Sequence, residues 1–183
     1  MLNTYVVYVE NKPGVLTRVA SLFRRRAFNI DSLTVGRTEK PEVSRMTITV
    51  DADRDQARRI EANLYKLVNV LLVENITHQP AIVRDLALIR VAATHDARSH
   101  VLELASVFRG RVVDVSPESL TIEITGAEDK IDGLIEVLRP YGVLEMVRTG
   151  IVAMRRGSKT NGAVSAAEST APGPDNDDVS YSV

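Results

Sequence analysis

The apolar residues of this chain run through strand, helix, strand, strand, helix, strand, and then through the same cycle again. A chain built of two such cycles is confined to a small set of sheet-and-helix layer folds. Residues 2–9, rich in Val and Tyr, read as the first strand. Gly14 to Arg26 reads as a helix, with Leu16, Val19, Ala20, Phe23 and Ala27 spaced as one apolar stripe. Ile30 to Arg37 is the second strand, and the polar run Thr38-Glu39-Lys40-Pro41-Glu42 leads to the third. There Met46, Ile48 and Val50 alternate with Arg45, Thr47 and Thr49, which predicts one buried face. Asp53 is the expected N-cap of a second helix carrying Ala57, Ile60, Leu64 and Leu67. Val68 to Val73 closes the cycle as a fourth strand.

The second cycle begins with a strand at Leu86 to Val91. Asp96 is the expected cap of a helix bearing Val101, Leu104, Ala105 and Phe108, and Gly110 is the expected stop. Val112 to Val115 and Leu120 to Ile124 flank the turn Ser116-Pro117-Glu118-Ser119, a hairpin pattern. Ile131, Leu134, Ile135 and Leu138 mark a helix ending at Pro140-Tyr141-Gly142. Val143 to Val147 and Ile151 to Met154 complete the cycle, with a bulge or bend at Gly150. The expected class is α+β: two tandem ferredoxin-like βαββαβ domains at residues 1–78 and 82–157, joined near Thr77 to Ala81. Beyond Gly157 the composition turns to Gly, Ser, Ala, Pro and Asp, and residues 158–183 are expected to be a disordered tail.

Each folded unit holds only about 75 residues, a size at which one core is marginal. Each four-stranded sheet also has two open edges. Pairing such edges across a twofold stabilises the units and hides the edges, so at least a homodimer is expected.

Composition narrows the function. With 23 basic and 24 acidic residues the net charge is −1, so no global field draws nucleic acid or an anionic membrane. The absence of Cys removes disulfides, thiolate nucleophiles and Cys-based zinc sites, and fits a reducing compartment. No long apolar span and no basic leader are present, so a cytoplasmic location is expected. His78, His95 and His100 lack metal-ligand spacing, and no phosphate loop, nucleophile elbow or paired-acid motif is evident. No catalytic residue and no metal site are therefore assigned. An RNA-recognition motif shares this topology, but its aromatic RNP1 pattern is missing from Ser44-Arg45-Met46-Thr47-Ile48-Thr49. Arg24-Arg25-Arg26 is read as cations complementing a helix C-terminus.

Two short runs at the ends of the first helix remain. Asn11-Lys12-Pro13-Gly14-Val15-Leu16 is a loop whose Pro suits a helix start and whose Gly permits close approach to backbone N–H groups. Those groups sit at the positive end of the helix dipole, where a carboxylate binds; a plain Pro-Gly turn is the other reading. Phe28-Asn29-Ile30-Asp31-Ser32-Leu33 opens a strand with a side-chain amide. Asn29 either orients a small zwitterion or serves as a left-handed helix cap. Within one subunit the two runs need not meet, but a twofold can set one subunit's Gly14 loop against its mate's Asn29.

On these runs the chain resembles the small regulatory subunits of acetolactate synthase (acetohydroxyacid synthase), a family with an N-terminal ACT domain and a second domain of related topology. The likeness extends over roughly residues 3–157. It includes Leu33-Thr34-Val35, Ser44-Arg45-Met46-Thr47-Ile48, Lys66-Leu67-Val68-Asn69-Val70-Leu71 and Arg84-Asp85-Leu86-Ala87-Leu88-Ile89. Phe108-Arg109-Gly110-Arg111-Val112-Val113-Asp114-Val115 and Gly150-Ile151-Val152-Ala153 with Arg156-Gly157 complete it. The resemblance implies a subunit with no active site of its own. Its partner is the large catalytic subunit, which carries thiamine diphosphate, Mg²⁺ and FAD. The small subunit raises that partner's activity and confers feedback inhibition by valine or another branched-chain amino acid at the ACT dimer interface. Asn11, Gly14, Val15 and Leu16 match the loop and helix start, and Asn29 and Ile30 the facing strand. Lys12-Pro13, Ala27 and Asn69 depart from the family's usual residues, and the Gly157–Val183 extension has no counterpart in these motifs. A stand-alone amino-acid sensor acting on another enzyme is the alternative.

Overall fold

The computed structural model describes residues 1–157; the expected tail lies outside the described residues. The first half comprises β1 (Leu2–Glu10), α1 (Val15–Arg25), β2 (Ile30–Arg37), β3 (Val43–Asp51), α2 (Arg54–Leu64) and β4 (Val70–Asn75). Its antiparallel sheet runs β2-β3-β1-β4, which leaves β2 at an edge. The second half comprises β5 (Ala81–Ala92), α3 (His95–Val107), β6 (Arg111–Ser116), β7 (Ser119–Gly126) and α4 (Glu128–Leu138). After a 3-10 turn at Arg139–Tyr141 come β8 (Val143–Arg148) and β9 (Val152–Arg155). Its order, β6-β7-β5-β8, repeats that of the first half. The long β5 serves two strands in turn: Ala81–Arg84 pairs with β9, and Ala87–Val91 with β8.

Each half builds its own core between one sheet face and two helices. In the first, Tyr5, Val7 and Val9 of β1 and Met46, Ile48 and Val50 of β3 meet Val15, Val19, Leu22 and Phe23 of α1 and Ile60 and Leu64 of α2. The buried Tyr5 hydroxyl donates to the Ala57 carbonyl at 3.1 Å, tying α2 to the sheet. Burial, with the Glu61 carboxylate nearby, pushes its pKa up to about 12. Asp53 caps α2 as expected, in a reciprocal capping box with Gln56. In the second core Ala87, Ile89 and Val91 face Val101 and Ala105 of α3 and Ile131, Leu134 and Leu138 of α4.

The structure corrects several local expectations. The apolar stripe of α1 is Val15, Val19, Leu22 and Phe23, while Leu16 is 44% exposed. The expected and observed stripes share Val19 and Phe23, and differ only in which flank of that line faces the sheet. The fourth strand starts at Val70, because Leu67 to Val70 forms a turn that leaves Val68 in solvent. Thr94, not Asp96, is the N-cap residue of α3; Asp96 sits in the first turn, where its charge still complements the dipole. The left-handed residue after α3 is Arg109, at φ 55°. Gly110 is instead needed for close approach, since a Cβ there would lie 3.0 Å from Ile122 Cγ2. The left-handed residue after α1 is likewise Ala27, at φ 54°, not Asn29.

A left-handed Ala costs about 1–2 kcal/mol, partly offset on substitution by the greater chain entropy of unfolded Gly. Ala27→Gly should therefore stabilise the chain by about 1 kcal/mol, raising the thermal midpoint by about 2–4 °C. A calorimetric scan showing a lower midpoint would contradict this.

The expectation of a single buried face on β3 is also overturned: Thr47 and Thr49 are as buried as Met46 and Ile48. The second half covers part of the face they share. Val6 of β1 packs with Ile76, Ile151 and Ala153, beside Tyr8, Ala81 and Val83. The Arg45 guanidinium, stacked over the Tyr8 ring, donates to the Ala153 carbonyl. What reads as a polar solvent face in the sequence is the floor on which the C-terminal strand rests.

Candidate functional site

At the end of β1 the chain leaves the sheet through Asn11, whose backbone N–H donates to the Glu42 carbonyl at 2.7 Å. Its side-chain amide donates to the Pro41 carbonyl at 2.9 Å. The loop is thus held beside the β2–β3 connection. Gly14 is the N-cap residue of α1 at φ 81°, a conformation that favours glycine. Among the described residues no side chain caps this helix, and an added Cβ at Gly14 would meet nothing within 4 Å. The first-turn N–H groups of Leu16 and Thr17 have no backbone acceptor among the described residues, which leaves them free at the helix start beside Gly14. Val15 anchors the turn in the core, and Leu16 projects from it, leaving an apolar side chain next to the free amides.

A polar network that the two-run reading missed lies beside this loop. Asn69 donates to Glu10 through its amide N–H and accepts from Arg18 through its amide oxygen. Lys12 Nζ lies 3.2 Å from the same Glu10 carboxylate. Asn69 first, and Lys12 with it, hold the Glu10 carboxyl below the usual carboxylate range. Its contribution to stability is present above the ordinary carboxylate pKa, and is lost as pH falls through the lowered value. The signal in the sequence was the spacing: Arg18 lies one turn beyond Gly14, on the face of the helix start. Lys12 and Arg18 against Glu10 leave a net positive charge beside the free amides.

Asn29 and Ile30 lie elsewhere. Ile30 pairs with Val50, near the far end of β3, whereas Arg37 pairs with Ser44 beside the Asn11 loop. Six or seven strand steps of about 3.3 Å put the two parts about 20 Å apart in one chain. The fold does not bring them together within a protomer. Asn29 is exposed and makes no side-chain hydrogen bond among the described residues. A bulge at Asp31 turns Ile30 onto the helix side of the sheet, where it packs against the core with Leu33.

A four-stranded ferredoxin-like sheet with an open β2 edge, and a glycine-started helix beside it, defines a protein of the ACT class. Residues 6–72 match the family model for the ACT domain of acetohydroxyacid synthase small subunits, and residues 84–157 match that for the small subunit of acetolactate synthase. A probable acetolactate synthase small subunit of Archaeoglobus fulgidus is 51% identical over 159 residues, 87% of this chain and 99% of the relative. The acetolactate synthase small subunit of Mycolicibacterium smegmatis is 47% identical, covering 88% and 95% of the two chains. The crystal structure of the Thermotoga maritima small subunit superposes with a TM-score of 0.80 at 41% identity, over 87% of this chain and 99% of that one. The chain belongs to the acetolactate synthase small-subunit family, a regulatory class in branched-chain amino-acid biosynthesis.

Among the described residues no three His, Cys, Asp or Glu side chains are grouped to hold a metal ion. None of the described helices is long and apolar enough to cross a membrane.

Proposed function

We propose that this chain activates the thiamine diphosphate-dependent catalytic subunit of acetolactate synthase and makes it sensitive to valine or another branched-chain amino acid. The effector sits at the seam of an ACT dimer. Thiamine diphosphate, Mg²⁺ and FAD belong to the catalytic subunit, and the complex works in the cytoplasm. The observation that carries this reading is the placement of Asn29 and the Gly14 loop at opposite ends of the sheet, with the open edge strand β2 running between those ends. Antiparallel pairing of two β2 edges about a twofold sets the beginning of one strand against the end of its mate. Asn29 of the partner protomer then faces the Gly14 loop. Two equivalent sites follow, each needing both chains.

In such a site the first-turn amides hold the effector carboxylate, helped by Lys12 and Arg18. The partner's Asn29 orients the amino-acid head, and Leu16 and Ile30 accept the branched side chain. Burying an isopropyl group contributes about 1.5–3 kcal/mol, and one methylene more or less changes affinity by about 10–200-fold. Partial cross-reaction with leucine and isoleucine is therefore expected.

The test mixes the purified chain with an acetolactate synthase catalytic subunit and follows acetolactate formation with and without valine. Stimulation by the chain and loss of rate on adding valine, leucine or isoleucine are expected. Absence of stimulation would refute the partner assignment, and stimulation without inhibition would refute the effector site. Light scattering at micromolar concentration should give at least a dimeric mass.

A further inference from the structure

The strand proposed to form the effector seam is also the strand that grips the second half. On the face of β2 away from the helices, Ser32 Oγ accepts from the Ile151 N–H at 3.0 Å, and Thr34 Oγ1 donates to the Ile151 carbonyl at 3.1 Å. Two hydroxyls thus take both backbone groups of one residue, as a neighbouring strand would. Behind the clamp, Gly150 turns at φ 82°, so close to β2 that an added Cβ would lie 2.4 Å from Ser32 Oγ. Thr149, next in line, donates through its hydroxyl to Asp85 at 3.1 Å and accepts from the Leu86 N–H at 3.2 Å. Asp85 is almost wholly buried and holds Arg148, with Nε and Nη2 each 2.6 Å from its carboxylate. Arg148 in turn reaches Asp132 of α4 at 2.8 Å and lies 3.9 Å from Glu128 at that helix's start. An unbroken series of polar contacts therefore runs from the edge strand β2, through Thr149-Gly150-Ile151, to α4.

We infer that the Ser32–Thr34 clamp on Ile151 is the element through which effector binding at the β2 seam reaches the second half. The inference rests on the proposed effector site and says how that site is coupled. Ser32 and Thr34 lie only two and four residues beyond Ile30, on a strand short enough to move as a unit. A ligand that draws two β2 edges together shifts the clamp, and with it the Gly150 bend and the Asp85–Arg148 pair. Ser32 and Thr34 are positioning residues: neither faces the ligand, since both point to the opposite side of the sheet from Ile30.

The test uses the full chain with its catalytic subunit and valine as the probe. In Ser32→Ala/Thr34→Val, affinity for valine measured on the small subunit alone should stay within about twofold of the parent. Stimulation of the catalytic subunit should be retained, while residual activity at saturating valine rises about fivefold or more. Thr34→Ser, which keeps the hydroxyl, should behave as the parent. A double variant inhibited like the parent would overturn the coupling role. Amide exchange on the parent gives an independent measure: valine should slow exchange at Ile151 and around Arg148. Protection confined to residues 1–78 would likewise overturn the inference. A parent chain that takes up no branched-chain amino acid would instead refute the effector site, a separate and recognisable failure.

Discussion

Gly14→Asp should leave the chain folded and still able to stimulate the proposed catalytic partner, but abolish inhibition by branched-chain amino acids. Among the described residues the new Cβ meets no atom within 4 Å. Two penalties remain. The backbone at φ 81° costs a non-glycine residue about 1–2 kcal/mol, which α1 with four buried anchors can bear. The carboxylate then stands where the effector's own carboxylate would sit. At about 4 Å and an effective dielectric of about 20, that repulsion approaches 4 kcal/mol, enough to weaken binding by about 100–1000-fold. Gly14→Asn separates the two effects, because Asn tolerates the left-handed backbone and brings no charge. It should weaken the effector by only about tenfold. Valine titrations of the three proteins check this, and equal loss in the Asp and Asn variants would mean that no effector carboxylate approaches Gly14.

That prediction could be framed from sequence because Pro13-Gly14 before an amphipathic stripe carries its own physics: a pre-set φ, a missing Cβ and a helix dipole. The succession of strands and helices along the chain was legible for the same reason, since alternation in Met46-Thr47-Ile48-Thr49-Val50 and the spacing of Ile60 and Leu64 are local signals. What was not legible depended on neighbours far along the chain. Thr47 and Thr49 read as solvent-facing because nothing nearby announces that residues 149–153 will cover their sheet. The left-handed positions fell on Ala27 and Arg109, where propensity argues against them; helix geometry and packing outweigh a cost of a kcal/mol or two. Asn69 stood out only as a departure from a family pattern, and its contacts with Arg18 and Glu10 require β4 and α1 to be folded together. The proposed site is half-visible for a similar reason: each part is local, but in the proposed dimer their meeting would require a second copy.

Gly150→Ala should be the most damaging single-methyl change in the described chain outside the two cores. Its Cβ would lie 2.4 Å from Ser32 Oγ and 3.4 Å from Thr34 Oγ1, on a backbone at φ 82°. The conformational cost of about 1–2 kcal/mol and an overpacking cost of about 1–3 kcal/mol sum to about 2–5 kcal/mol. That lowers the thermal midpoint by roughly 5–15 °C. The bend cannot relax freely, because Thr149 is bound to Asp85 and Leu86 on one side and Ile151 is packed with Val6 on the other. Removing the opposing hydroxyl relieves only the steric part: in Gly150→Ala/Ser32→Ala the nearest remaining atom of residue 32 is its Cβ at 3.5 Å. A double-mutant cycle should therefore show a favourable coupling of about 1–2 kcal/mol, with the left-handed strain left uncorrected. Additive losses would place the damage in the backbone alone and remove the steric contact with β2 from the account. A near-neutral Gly150→Ala would mean that the second half is not seated on the first as described. The two halves should then melt as independent units, because the hydroxyl clamp, the Arg45 contact to Ala153 and the Val6–Ile151 packing all depend on that close approach.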